Sequence, residues 1–223
     1  MKIEILTLFP EMFAPLEHSI LKRARAKNLF ELSVIDIRPF AENKHKKCDD
    51  YPFGGGAGMV MMAQPIASAI NAIDPNREAK RFYMSPQGKT FCQADAESMS
   101  KLERIILLCG HYEGVDQRVL DKYFDGEISI GDYVLTGGEL GAMVVVDSLS
   151  RLIDGVIDAE SLKDESFTGN LLEYPQYTRP SVFEEMEVPK VLLSGNHAEI
   201  EKWRRQMQVE ITAKKRPDLL EKK

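Results

Sequence analysis

Four short apolar segments, Lys2 to Leu8, Leu32 to Ile37, Arg81 to Ser85 and Arg104 to Cys109, are rich in β-branched and aromatic residues, and stretches of helical spacing separate them. Strands alternating with helices predict an α/β fold with a mostly parallel sheet, because a parallel pair needs a crossover long enough to hold a helix. The helices can be placed by their periodicity. Pro10 marks a helix start, after which Phe13, Leu16, Ile20, Leu21 and Ala24 recur at three- and four-residue spacing, predicting one continuous helix. Ala63 to Ile73 predicts a second. Glu139 to Ile153, carrying Leu140, Met143, Val144, Leu149 and Leu152, predicts a long apolar helix buried against the sheet or against another subunit.

The pattern changes near Gly155. Asp158 to Pro180 is polar and rich in turn formers, so residues 1–157 are expected to form the α/β domain, 158–180 a linker or lid, and 181–223 a small helical domain. In the last of these, Asn196 and Glu199 have capping-box spacing ahead of Ile200, Trp203 and Met207. Three widely spaced cysteines without a CxxC pair support neither a disulfide framework nor a thiolate metal site. Cys92 and Cys109 read as small buried hydrophobes. No run approaches the roughly 20 apolar residues of a bilayer span, and Met1 to Phe9 lacks a basic, cleavable leader; the expected location is the cytoplasm, away from membranes.

The net charge of −6 gives no general footprint for nucleic acid. Lys22 to Lys47, however, holds eight basic residues against three acidic ones. A phosphate-binding surface and an ordinary solvated helix face both fit that excess.

Three glycine-rich stretches carry the chemistry. Asp49 to Met59 contains Gly54-Gly55-Gly56-Ala57-Gly58; it neither follows a strand as a dinucleotide fingerprint does nor ends in the Gly-Lys-Ser/Thr of a P-loop. Leu108 to Arg118 runs from a strand into the turn Gly110-His111-Tyr112-Glu113-Gly114, and Ile128 to Leu140 runs from a strand into a glycine loop and a helix. Ligands of α/β sheets bind beyond the carboxyl ends of strands, so these two junctions predict a cofactor pocket. His111 in such a turn reads first as an ordinary hydrogen-bonding residue and second as a general base. A doubly wound nucleotide fold is excluded because its first strand should meet a glycine-rich turn, whereas this one ends in Thr7-Leu8-Phe9-Pro10.

Taken in order, Leu8 to Phe13, the Asp49 to Met59 loop, Ser85-Pro86-Gln87-Gly88, Cys109 to Gly114, Ser129 to Glu139, Tyr177 to Pro180 and Val191 to His197 closely resemble the bacterial tRNA (guanine-37, N1)-methyltransferases of the SPOUT superfamily. The resemblance covers the whole chain. It implies a deep C-terminal trefoil knot of the α/β domain, from about Tyr83 to Gly141, an obligate homodimer, and S-adenosylmethionine as methyl donor with magnesium as a further candidate cofactor. The partner it implies is tRNA carrying guanosine at position 37 in the anticodon stem-loop. By motif matching the donor meets Tyr83, Met84, Ser85 and Pro86, then Gly110, Tyr112 and Glu113, then Ile130, Gly131, Asp132, Tyr133, Val134, Leu135, Gly137 and Gly138. Gly58 and Arg179 fall to the RNA substrate, and no residue falls to a metal.

Removing the proton from guanine N1 while O6 gains negative charge calls for a base and a cation. The family's cation corresponds to Arg151, and its base to the carboxylate before Ser166-Phe167. Relatives usually carry aspartate there; this chain has Glu165, with Asp164 one place earlier. Glu165 keeps the register with Ser166 and is preferred, with Asp164 as the alternative. A knotted methyltransferase acting on another RNA atom and a non-catalytic RNA-binding relative are the competing readings.

Overall fold

A computed structural model describes residues 1–221. The chain divides into two compact units, Met1–Ile157 and Asp158–Lys223. In the first, strands β1 (Lys2–Thr7), β2 (Glu31–Asp36), β5 (Lys80–Thr90), β6 (Arg104–Cys109) and β7 (Gly126–Ser129) form one sheet in the order β2-β1-β6-β5-β7. Every pairing in it is parallel. The short strands β3 (Asp49–Asp50) and β4 (Val60–Met61) form a separate antiparallel pair.

Both faces of the sheet are covered, as a parallel sheet requires. Helices α1 (Ser19–Ala26), α2 (Ala63–Ile73), α3 (Gln93–Met99), α4 (Gln117–Tyr123) and α5 (Glu139–Ser150) supply the cover. One core joins Ile3, Ile5, Ile105 and Leu107 to Leu21 of α1, Met99 of α3 and Ala142, Val145, Val146 and Leu149 of α5. The other joins Leu6, Ile106 and Leu108 to Ile66 and Ile70 of α2 and Val119 and Leu120 of α4. Neighbouring strand residues thus feed opposite cores, the two-residue period of a strand. Each fully buried aliphatic side chain contributes about 1.5–3 kcal/mol.

The helix expected from Pro10 to Ala24 is two elements. A 3-10 helix, Pro10–Glu17, contains Pro15, and His18 is extended (φ −125°, ψ 170°) before α1 begins. Proline lacks the amide that a continuing α-helix needs and restricts the residue before it, so the apolar spacing survives a break in the backbone. Strand β5 also runs beyond its expected end at Ser85. Its register against β7 jumps, Met84 and Lys89 both lying opposite Ile128, so that the intervening residues form an excursion. A Cβ on Gly88 would lie 2.4 Å from the Glu127 carbonyl carbon, an approach open only to glycine. Helix α5 ends at Ser150, with Arg151 as its cap. Cys109 is buried as expected, but Cys92 is exposed: it precedes α3, where its thiol contacts the Asp95 carboxylate.

The second unit holds α6 (Ala159–Lys163), a two-residue hairpin of β8 (Val182–Phe183) and β9 (Met186–Glu187), and α7 (His197–Lys215). Asn196 caps α7 by accepting a hydrogen bond from the Glu199 amide. The polar stretch before the hairpin packs along α7: Leu171 is buried, the Leu172 amide donates to Thr212 Oγ1 at 2.8 Å, Tyr177 faces Trp203 at 6.4 Å between ring centroids, and the Arg204 guanidinium lies 4.8 Å from the Tyr174 ring. No described helix is long and apolar enough to cross a membrane.

Candidate active site

A cleft of about 190 Å³ opens where the parallel pairing of β5 with β6 stops, at Met84 opposite Cys109. Three chain segments line it. The first is Tyr83, Met84, Ser85 and Pro86; the second runs from Gly110 to Gly114; the third includes Ile130, Gly131, Tyr133, Val134, Leu135, Gly137 and Gly138, with Gly141 from α5. The structure therefore gathers residues that lie up to 58 positions apart, from Tyr83 to Gly141, around one space. Asp132 is exposed and is not among the lining residues.

Close backbone approach explains the glycines. A Cβ on Gly138 would lie 2.8 Å from the Cys109 Cα, and one on Gly110 would lie 2.6 Å from the Tyr83 hydroxyl. The Gly138 amide donates to the Gly110 carbonyl at 3.0 Å, so the second and third segments are bonded directly to each other. Ser129 Oγ accepts from the Gly131 amide at 3.2 Å and holds the turn after β7.

The glycine-rich β3–β4 loop borders the second segment. Glu113 donates its amide to the Met59 carbonyl, and Met61 donates to the Gly114 carbonyl, both at 2.9 Å. Gly58 has φ +77°, and a Cβ there would lie 2.5 Å from Glu113 Oε1. Phe53 at the loop's tip is 99% exposed.

The lining contains no lysine or arginine. Its ionisable groups are His111, Glu113 and the phenols of Tyr83, Tyr112 and Tyr133. Burial, followed by the charges of Glu127 and Cys109, pushes the Tyr83 hydroxyl up to about 12. Burial and then Asp49 raise Tyr112 as well, so both phenols stay protonated donors at neutral pH. Burial and then Glu139 push the Cys109 thiol well above its ordinary value, which leaves it an unreactive part of the core. A cleft with phenol donors, one carboxylate and neither lysine nor arginine suits a ligand that carries positive charge.

Apart from Gly58, the residues matched to catalysis and to RNA belong to other elements. Arg151 caps α5 in the first unit and is half-buried. In the second unit Asp164 caps α6 and is exposed, while Glu165 follows it half-buried and accepts from the Thr168 amide through its carbonyl. Arg179 is exposed, ahead of a cis peptide bond to Pro180. Sequence reasoning passed over Glu139 and Thr7. Glu139 is fully buried and joins Thr7 Oγ1, at 2.6 Å, to His111 Nε2, at 2.8 Å. The available signal is an acid heading a mostly apolar helix. His111 is thus engaged in the hydrogen bond that was its first reading.

Comparison with known proteins agrees along the whole chain. The family described as tRNA (Guanine-1)-methyltransferase TrmD matches residues 1–222. A tRNA (guanine-N(1)-)-methyltransferase of Caldanaerobacter subterraneus subsp. tengcongensis is 59% identical, over 100% of this chain and 92% of its own length. Proteins of the same name from Alkaliphilus metalliredigens (57% identical, over 99% of this chain and 92% of theirs) and Ruminiclostridium cellulolyticum (56%, 100% and 97%) are similar over the same extent. With a sheet-end cleft in place and a full-length match of this strength, the chain belongs to the tRNA (guanine-1)-methyltransferase TrmD family and methylates N1 of guanine in tRNA.

Proposed function

We propose that the cleft is the S-adenosylmethionine site and that the guanine methylated is position 37, beside the anticodon. The observation that carries this reading is the glycine cradle: Gly110 and Gly138 leave no room for a Cβ, and the lining offers phenols and a carboxylate but neither lysine nor arginine. When bound, the donor supplies an electrophilic methyl on a sulfonium. Gly131, Gly137 and Gly138 bring backbone close to it, Tyr83 and Tyr112 offer hydroxyl donors, and Glu113 supplies negative charge.

Glu165 accepts the proton of guanine N1, with Asp164 as the second candidate, and Arg151 donates to O6 as negative charge develops there. A positioned base contributes about 10²–10⁴ in rate, and a preorganised donor at the oxyanion a comparable factor. Gly58, next to Glu113, and the exposed Arg179 are the RNA-side contacts. Among the described residues no group of three or more His, Cys, Asp or Glu side chains is placed to hold a metal.

A deep trefoil knot through about 83–141 is part of the same reading; the excursion of β5 between Met84 and Lys89, against Ile128, supports it. So is a homodimer. Leu140 and Val144 of α5 are 47% and 45% exposed, and Val144 lines a groove of about 440 Å³ together with Ile20 and Met143. Exposed aliphatic residues on an apolar helix are what a second subunit would cover. Light scattering should give twice the chain mass, and a monomeric mass at micromolar concentration would refute the dimer.

Methyl transfer from labelled S-adenosylmethionine to two tRNA transcripts differing only in guanosine or adenosine at position 37 tests the whole reading. Label is expected as N1-methylguanosine in the first transcript alone. Equal labelling of both would move the target to another guanine.

A further inference from the structure

The buried acid at the head of α5 has two polar partners, Thr7 and His111. The Phe9 amide donates to Thr7 Oγ1 at 2.9 Å, and the Thr7 hydroxyl spends its one proton on Glu139 Oε1 at 2.6 Å. On the other side, Glu139 Oε2 lies 2.8 Å from His111 Nε2. A carboxylate only accepts, so a carboxylate at Glu139 pairs with the Nε2–H form of the ring. Glu139 sits in the first turn of a twelve-residue helix. A fully buried carboxylate is costly unless paired and hydrogen-bonded. Among the described residues no hydrogen bond is made to His111 Nδ1, which leaves it as the uncommitted atom of a ring that lines the cleft.

This chain of bonds ties together three backbone segments: the end of β1, the turn after β6 and the start of α5. It also borders the cradle itself. A Cβ on Gly137 would lie 2.5 Å from both Glu139 Oε2 and His111 Nε2, and the next residue, Gly138, is bonded to the Gly110 carbonyl. The His111 ring is held from the side by Phe9, at 4.5 Å between centroids.

We propose that Glu139 is a positioning residue: held by Thr7, it fixes His111 as its Nε2–H tautomer and thereby sets Gly137 and Gly138 against the bound methyl donor. Donor binding is part of the claim only if the cleft is the S-adenosylmethionine site proposed above; the tautomer and the rigidity of the loop do not depend on that reading. Groups that orient the residues lining a site commonly change its affinity severalfold or more although they never touch the ligand.

The full chain labelled with ¹⁵N-histidine has only four histidines, so the ring nitrogens of His111 can be resolved by NMR. Wild type should show the Nε2–H form, and Glu139→Gln should lose it. Amide exchange at Gly138 should accelerate about tenfold in Glu139→Gln. Its dissociation constant and KM for S-adenosylmethionine should rise about tenfold, with kcat at saturation within about threefold of wild type. Thr7→Val should reproduce these changes in smaller measure and Thr7→Ser should restore them, and this pair serves if Glu139→Gln does not fold.

An Nδ1–H tautomer in wild type would overturn the proposal. So would unchanged exchange and donor affinity in Glu139→Gln, or a fall in kcat with donor affinity intact. Failure of the wild type to bind S-adenosylmethionine would instead remove the reading of the cleft, and the tautomer and exchange results would still decide whether Glu139 orders the loop.

Discussion

The two units of this chain hold their functional candidates in opposite ways. In the first, the cleft is walled by segments anchored in a sheet covered on both faces, and a Cβ on Gly138 would lie 2.8 Å from the Cys109 backbone and one on Gly110 2.6 Å from the Tyr83 hydroxyl. In the second, Asp164, Glu165 and Arg179 sit on a stretch of largely irregular structure, of which Leu171 alone is buried, and the described residues of the whole unit add only Gln208, Thr212 and Leu219. The difference teaches a division of labour. On the proposed assignment, a donor common to every turnover is met by a preformed site, whereas groups that engage a large RNA sit on segments with shallow packing and are ordered by that partner.

The largest effect should come from spoiling the cradle. Gly138→Val places a branched side chain against the backbone of Cys109, and S-adenosylmethionine affinity should fall more than about 100-fold because neither wall can yield without disturbing a packed strand. Calorimetric titration reads this directly, with circular dichroism confirming that the fold persists. Retained affinity would mean that the cleft is not as rigid as the comparison requires.

Next come the groups assigned to chemistry. Arg151→Ala and Glu165→Ala should each lower single-turnover methyl transfer by about 10²–10⁴ while leaving donor affinity unchanged, the mark of groups that act in the transition state. Full activity in Glu165→Ala would pass the base to Asp164 or beyond.

A third variant tests what keeps the sheet unit rigid. Asp74 is 1% exposed and bonds Arg81, itself 2% exposed, at 2.7 Å; Arg104 reaches it at 3.3 Å. Asp74→Ala leaves a buried guanidinium without its carboxylate and should cost about 3–5 kcal/mol in denaturant unfolding. Burial alone would raise the Asp74 carboxyl, but the Arg81 guanidinium and the amides of Glu78 and Ala79 outweigh it and hold it below the usual carboxylate range. The folded value being the lower one, this stabilisation is complete above the unfolded value near about 4 and disappears as pH falls through the folded value. Acid titration of wild type against Asp74→Asn should therefore show a loss below about pH 4 that the variant lacks.

The smallest effect belongs to the second unit. Thr212→Val strands the Leu172 amide and should cost about 1 kcal/mol, seen as faster amide exchange around Leu171 to Tyr177 with donor affinity unaltered. A matching loss of donor affinity would break the division between the units.

Sheet, helices and the two strand-end junctions were legible because strand periodicity and glycine placement are local signals. The order of the strands and the excursion of β5 were not, since a run such as Arg81 to Ser85 has no local mark of the partner it will meet. Pro15 was visible in the sequence, yet apolar spacing at Phe13, Leu16 and Leu21 persists through a 3-10 turn and a break, so periodicity alone overstated one helix. Cys92 looked like a core residue by type, and only its place ahead of α3 exposes it. Most residues that the resemblance matched to the donor line the cleft, Asp132 excepted, but the chain from Thr7 to Glu139 to His111 joins positions 132 and 28 residues apart, and no spacing rule connects them.

The most direct test of a preformed donor site is titration of S-adenosylmethionine into the full-length Glu165→Ala protein without tRNA. The account predicts a dissociation constant within about threefold of wild type, alongside the loss of methyl transfer. A loss of binding greater than about tenfold would contradict it, because the donor site would then depend on a residue of the second unit.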